Sequence, residues 1–275
     1  MSIRDLAQLI KDESEFFRPI ISEAQVLTDL QRESYRLETV SERRHRISKE
    51  LAAQFDGIVQ AGPFRGMRLD PNPTWGVADQ AGMLLGIYEA EVIDEIFSAK
   101  NSSQKTFVDL GAADGYYAIG GVFSKRFDHA HCFETTVAGQ DTILRNARIN
   151  KVESRLSIHG HAGSYFHDNL GPINWGETFI LCDVEGAEFE IFSDTALEAV
   201  RGATVLIEIH NWVEGFWDKY QSLLCRSAKY FEIETISRSS MSFPNQPDLR
   251  ALHDDNRALI LSEGRPNIMR YLKLS

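Results

Sequence analysis

The sequence predicts an α/β fold, a doubly wound and mostly parallel sheet with helices packed on it. Two observations carry that prediction. Short apolar blocks at Phe107-Val108, His131-Cys-Phe133, Leu156–His159, Phe179–Cys182 and Thr204–His210 alternate with helix-favouring stretches, the pattern of buried parallel strands joined by crossovers. Three of the blocks end in an acid at a turn: Asp109 before Gly111-Ala-Ala-Asp-Gly115, Glu134, and Asp183 before Val184-Glu-Gly-Ala-Glu188. Acids and small residues at strand carboxyl ends mark the edge where an open α/β sheet holds ligands.

Composition narrows the class. At 275 residues the chain has room for one large α/β domain with an appendage, or for two small domains. Hydrophobic content of 43% and charged content of 25% describe an ordinary globular protein. Lys plus Arg number 29 against 40 Asp plus Glu, a net charge of −11. A surface of that sign repels a phosphate backbone, so no nucleic-acid partner is expected. The basic run Arg43-Arg44-His45-Arg46 lies between Glu42 and Glu50 and reads as a solvated helix face. Cys132, Cys182 and Cys225 cannot all pair, and buried free thiols in a reducing compartment are expected. Met1-Ser-Ile-Arg-Asp-Leu6 has no signal-type apolar core, and no apolar stretch is long enough to span a bilayer. A cytoplasmic protein without a membrane partner is the expectation.

In chain order, residues 3–17 read as a helix with Leu6, Ile10 and Phe17 on one face, interrupted at Pro19. Residues 22–60 are charged and helix-favouring, with irregular amphipathic spacing. The break at Ala61-Gly-Pro-Phe-Arg-Gly66 divides the chain into an N-terminal helical extension, 1–62, and a main domain, 63–275. The extension needs something to pack against, either its own domain or a second subunit, which makes it a candidate for homodimer formation. Residues 70–77 read as a loop, and Met83 opens a helix to about Ser98. Helices at 115–125 and 138–150 alternate with strands at 130–134 and 156–159. After the strand at 178–183, helices run through Phe192 and near Leu197, followed by strand 204–210 and helix 213–228. Strands at 231–236 and 257–262 complete the order, and polar residues 237–255, with Pro244 and Pro247, read as a lid or substrate loop.

The glycines alone suit any nucleotide-binding turn. The dinucleotide fingerprint G-x-G-x-x-G is absent, because Ala113 stands where its second glycine belongs. The D-x-G-x-x-x-G spacing of Asp109, Gly111 and Gly115 instead resembles motif I of class I S-adenosylmethionine-dependent methyltransferases. Taken with Phe133-Glu134, the Asn146 and Asn150 pair, and Cys182-Asp-Val-Glu-Gly-Ala-Glu188, the chain resembles the FkbM-type family over roughly residues 106–210. The resemblance implies a Rossmann-like sheet of seven strands with the last one antiparallel.

It also implies S-adenosylmethionine as cofactor and a set of contacts. Glu134 would accept two hydrogen bonds from the ribose diol. The turn carrying Gly111, Ala112, Asp114, Gly115 and Tyr116 would face the ribose and the amino-acid end, with Asp109 anchoring the turn or the ammonium group. His161 and Ala162 would hold the adenine edge, and Asp183 would stand where methyl donor and acceptor meet. Tyr88 and Glu89, in a Gly-x-Tyr-Glu segment, would lie beside the cofactor, or else serve helix packing and surface charge. Leu181 replaces a lysine that many relatives carry, so a mechanism using that lysine is excluded; Thr135 replaces a proline and alters the turn.

For chemistry, Asp183, Glu185, Glu188, Glu208 and His210 cluster at strand ends. His210 is the natural general base by its unperturbed pKa, its alternative being a structural histidine. Asp183, Glu208 and His210 would also suit a divalent cation, with Glu185 and Glu188 serving as helix caps. Trp212, Phe216 and Trp217 are candidates for stacking on a sugar face, or for packing. The expected activity is O-methylation of a hydroxyl on a sugar, glycan or secondary metabolite. The alternatives are an N- or carboxyl-methyltransferase, or a non-catalytic nucleotide-binding or scaffold module.

Overall fold

The computed structural model describes Gln8, residues 38–237, Leu249, residues 252–265 and residues 270–275. Its centre is built from the most apolar blocks: β1 (Thr106–Leu110), β4 (Thr178–Cys182) and β5 (Thr204–Ile209), the last two buried along their whole length. Strands covered on both faces need no polar alternation, which is why these read as unbroken apolar runs. With β2 (His129–Phe133), β3 (Leu156–His159), β6 (Ile233–Ser237) and β7 (Arg270–Leu274) they form one seven-stranded sheet in the order β3-β2-β1-β4-β5-β7-β6. Strands β1 to β5 are parallel, and β7 runs antiparallel between β5 and β6. The predicted fold class, seven strands with an antiparallel last strand, is the observed one.

Strand order reverses between β1 and β4, so the crevice outside their carboxyl ends is the topological switch point. Successive side chains feed opposite faces. Phe107 joins one core with Ile119 of α4 (Tyr116–Phe123) and Ala147 of α5 (Val137–Ile149); Val108 joins the other with Ile180, Phe192 and Leu223.

The helix α1 (Val40–Gln54) starts from a capping box in which Thr39 and Glu42 bond each other's backbone N–H. Its Ile47 and Leu51 belong to the same core as Phe64 and Phe107, so this chain itself covers that apolar face. The expected helix at 3–17 and residues 22–37 lie outside the described residues, apart from Gln8. So does most of the expected lid at 237–255. No described helix is long and apolar enough to cross a membrane.

Three expectations need correction. Residues 83–98 form two short helices, α2 (Gln80–Leu85) and α3 (Ala90–Ile96), because Gly86 closes the first with φ 69° and Glu89 precedes the second with φ 43°. Residues 257–262 are not a strand; α9 is a helix, Asp254–Leu261, and the last strand lies at 270–274. A short apolar run such as Ala258–Leu261 fits either element, and the two acids of the first turn with His253 accepting from the Asp255 N–H decide for helix. Cys225 is exposed on α8 (Phe216–Ser227), whereas Cys132 and Cys182 are buried.

Candidate functional site

The carboxyl ends of β1, β2 and β4 are tied together by backbone. The N–H groups of Gly111 and Ala112 donate to Phe133 O at 3.0 and 2.9 Å, and Asp183 N–H donates to Leu110 O at 2.9 Å. At Gly111 the chains approach so closely that a Cβ would stand 1.7 Å from Asp183 O. Only glycine fits there. Ala113 takes φ 48°, a left-handed conformation despite its side chain.

These turns frame a cavity of about 320 Å³ lined by Gly111, Ala113, Glu134, His161, Ala162 and Asp183, with Trp75, Thr136 and Glu185 at its walls. Among its described lining residues none is Lys or Arg. Glu134 also holds Thr136, the N-cap of α5: its Oε1 accepts from Thr136 N–H and Oγ1, each at 2.7 Å. Gly139 leaves room for that carboxylate, since a Cβ there would stand 2.6 Å from Glu134 Cγ. Its other oxygen, Oε2, has no hydrogen bond among the described residues and keeps two lone pairs for a diol.

Other residues of the turn serve the framework. Asp109 is 2% exposed and accepts the Ala118 N–H; burial first, then the charge of Asp183, pushes its carboxyl up to about 8. It anchors the turn and does not reach an ammonium group in the cavity. Asp114 accepts from Thr74 and Trp75, while Tyr116 is buried with its hydroxyl on Met83 O at 3.3 Å. Ala112, Asp114, Gly115 and Tyr116 therefore shape the cavity from behind it.

The second half of the site is acidic. His210, at the end of β5, is 1% exposed. Its Nδ1 lies 3.1 Å from Glu188 Oε1, and its Nε2 lies 3.3 Å from Asp183 Oδ1 and 3.8 Å from Glu185 Oε2. Burial pulls its pKa down, but the Asp183 and Glu188 carboxylates beside the ring outweigh that and hold it at about 9. His210 is thus an imidazolium at neutral pH, not the unperturbed base the sequence suggests. Burial raises Asp183, yet the His210 contact prevails and its carboxyl sits below the usual range.

Glu208 does not converge with His210. It is fully buried, and burial followed by the charges of Asp183 and Glu89 pushes it to about 11. Arg265 reaches Glu208 and Glu89 together, and Glu263 Oε2 at 2.8 Å. Glu89, 2% exposed and raised to about 8 chiefly by burial, also accepts from the Tyr117 hydroxyl. Tyr88 stacks with Tyr117 at 6.4 Å between ring centroids. Neither Tyr88 nor Glu89 lines the cavity: Glu89 belongs to the buried network of Arg265, and Tyr88 packs against Tyr116 and Tyr117. The cation trio is corrected likewise. The side-chain atoms that converge with His210 are those of Asp183 and Glu185, whereas Glu208 groups with Glu89 and Asp183 around Arg265.

Of the expected acceptor aromatics, Trp212 stands beside His210 with ring centroids 4.7 Å apart and is 46% exposed. Phe216 packs into the core against Phe189, and Trp217 is exposed next to Tyr220. Leu181 is buried in the core. Sequence reasoning missed Trp75 and Arg265. Trp75 sits in a loop without periodicity, and Arg265 follows Glu208 by 57 residues, so neither carried a local signal.

No family model matches the chain, and the search of curated proteins returned no match. Among solved structures the chain is similar to methyltransferase FkbM from Methylobacillus flagellatus KT, with 18% identity, 84% of this chain and 59% of that chain covered, and a TM-score of 0.41. It is similar to the M1A22 tRNA methyltransferase TrmK of B. subtilis, with 11% identity, 68% and 64% covered, and a TM-score of 0.43. It is also similar to M. jannaschii TYW2, solved in complex with AdoMet, with 12% identity, 76% and 80% covered, and a TM-score of 0.44. The chain spans less than two thirds of the FkbM and TrmK structures' own lengths. The functional reading rests on the site itself.

Proposed function

We propose that this chain is an S-adenosylmethionine-dependent methyltransferase of the FkbM type, acting on a hydroxyl of a sugar, glycan or secondary metabolite. One observation carries the reading: a cavity at the switch point lined by Glu134, Asp183 and Glu185 and by no described Lys or Arg. A dinucleotide would bring two phosphates against those carboxylates, whereas S-adenosylmethionine carries a net positive charge.

The donor set fits that molecule part by part. Glu134 Oε2 suits a ribose hydroxyl, His161 and Ala162 an adenine edge, and the Gly111–Ala113 backbone with Asp183 an amino-acid end. When bound, the cofactor supplies a methyl group on a sulfonium. The protein has to orient the acceptor hydroxyl and receive its proton. Asp183 lines the cavity and lies 3.3 Å from His210 Nε2, closer than Glu185 at 3.8 Å, so it positions the acceptor and the imidazole together. His210 takes a proton only after losing its own, which ties that role to alkaline pH. A divalent cation would be held by Asp183, Glu185 and His210, two carboxylates and an imidazole, after displacing the imidazolium proton.

A second reading, transfer to an amine nitrogen, is favoured by the same acidic mouth, because Asp183 and Glu185 would attract a protonated amine. Incubation of the full chain with methyl-labelled cofactor and panels of sugars, metabolites and amines, read by mass spectrometry with and without chelator, separates these readings. Label on a hydroxyl supports the first, label on nitrogen the second, and chelator-resistant transfer removes the cation.

A further inference from the structure

Segment 68–77, whose Thr74 and Trp75 line the cavity, is tied down by side chains from two other elements. Asn150 pairs both ways with Arg68, its Nδ2 donating to Arg68 O at 2.7 Å and its Oδ1 accepting from Arg68 N–H at 2.8 Å. Asn146 Oδ1 accepts from Asp70 N–H at 2.7 Å, while its Nδ2 donates to Asp114 O at 2.9 Å. The Asp70 carboxylate then accepts from Asn72 N–H at 2.8 Å and from Arg145 Nε at 2.7 Å. At the far end the Asp114 carboxylate accepts from Thr74 N–H at 3.0 Å, Trp75 N–H at 3.2 Å and the Thr74 hydroxyl.

All this positions one ring. Trp75 lines the cavity together with Ala113, Asp183 and Glu185, and it is 56% exposed. A large aromatic side chain left half in water gains little from packing, and no ring contact with another aromatic is formed by it among the described residues. An indole face flanked by carboxylates is the arrangement that attracts an organic cation.

We propose that Trp75 is the surface against which the sulfonium of S-adenosylmethionine rests, and that it lets the site tell the charged donor from the uncharged thioether left after transfer. This rests on the methyltransferase reading above. The two molecules share adenine, ribose and amino-acid end, so Glu134, His161 and Ala162 bind both alike. Discrimination has to come from groups that sense the charge at sulfur. Asp183 and Glu185 lie 3.3 and 3.8 Å from His210 Nε2, on its side of the cavity. Trp75 is the uncharged group at that wall with a polarised face to offer, and Asp114 is its positioning residue.

Calorimetry on the full chain tests this with S-adenosylmethionine, its amine analogue sinefungin, and S-adenosylhomocysteine. Trp75→Leu should lose about three- to tenfold more affinity for the two cations than for the neutral thioether, and Trp75→Phe should keep most of the preference. Asp114→Ala, which frees Thr74 and Trp75, should reproduce the Trp75→Leu pattern. Circular dichroism checks that each variant is folded. Equal losses for charged and neutral ligands, or no loss, would overturn the proposal while leaving the methyltransferase reading intact. Failure of the wild-type chain to bind any of the three would instead overturn that reading, and this inference with it.

Discussion

His131 and His210 sit on the same sheet, 8% and 1% exposed, and their charges are driven in opposite directions. His131 faces other imidazoles. Its Nδ1 lies 3.1 Å from His159 Nε2, and its ring stands 4.8 Å from that of His129. Burial first, then the neighbouring histidines, lowers its pKa to about 4. His210 faces Asp183, Glu185 and Glu188, which hold it protonated to about 9. Burial acts the same way on both. The sign of the surrounding groups decides the outcome, and it divides the sheet edge into a neutral flank beyond the cavity and a charged flank where transfer would occur.

The largest expected effect breaks the difference at its charged end. If His210 accepts the acceptor's proton, His210→Gln should lose roughly 10²–10⁴-fold in turnover with little change in cofactor affinity. Wild-type turnover should then climb as pH rises toward about 9, where the imidazolium gives up its proton. A flat profile in that range would transfer the role to Asp183.

Stability should report both histidines with opposite signs. His210 has a folded pKa above its unfolded value, so its contribution is complete below about pH 6.5 and is lost as pH rises through about 9. His131 has a depressed folded pKa, so its contribution is complete above about pH 6.5 and is lost as pH falls toward about 4. Each change amounts to up to about 3 kcal/mol. Urea unfolding at pH 5, 7 and 9 checks it: His131→Gln should flatten the acid side only, and His210→Gln the alkaline side only. A smaller effect belongs to the strap. Asn150→Ala removes two hydrogen bonds to Arg68 and should lower unfolding free energy by about 1–2 kcal/mol at neutral pH.

The two flanks also differ in how far they could be read from the chain. Gly111, Glu134, His161, Ala162 and Asp183 sit at the ends of strands whose apolar runs are local signals, and the parallel order places those ends together. The double duty of Glu134 was not legible, because Thr136 bonds it only once α5 has formed. Nor was the ion network legible: Glu89 is turned inward by a left-handed residue in a helix break, and its partner Arg265 comes from a segment far along the chain. Asn146 and Asn150 stood out only as part of the family resemblance, and folding shows what they hold: one end of the strap that carries Trp75.

The central claim, that the acid-lined cavity takes S-adenosylmethionine, is tested most directly by calorimetry with that molecule and with NAD on the wild-type chain and on Glu134→Gln. The substitution keeps an oxygen for Thr136 while replacing the free carboxylate oxygen with an amide donor. S-adenosylmethionine should bind the wild type and NAD should not. Glu134→Gln should weaken S-adenosylmethionine by about 1.5–3 kcal/mol, the scale of hydrogen bonds to a charged group. Binding of NAD without S-adenosylmethionine, or undiminished affinity in a folded Glu134→Gln, would contradict it.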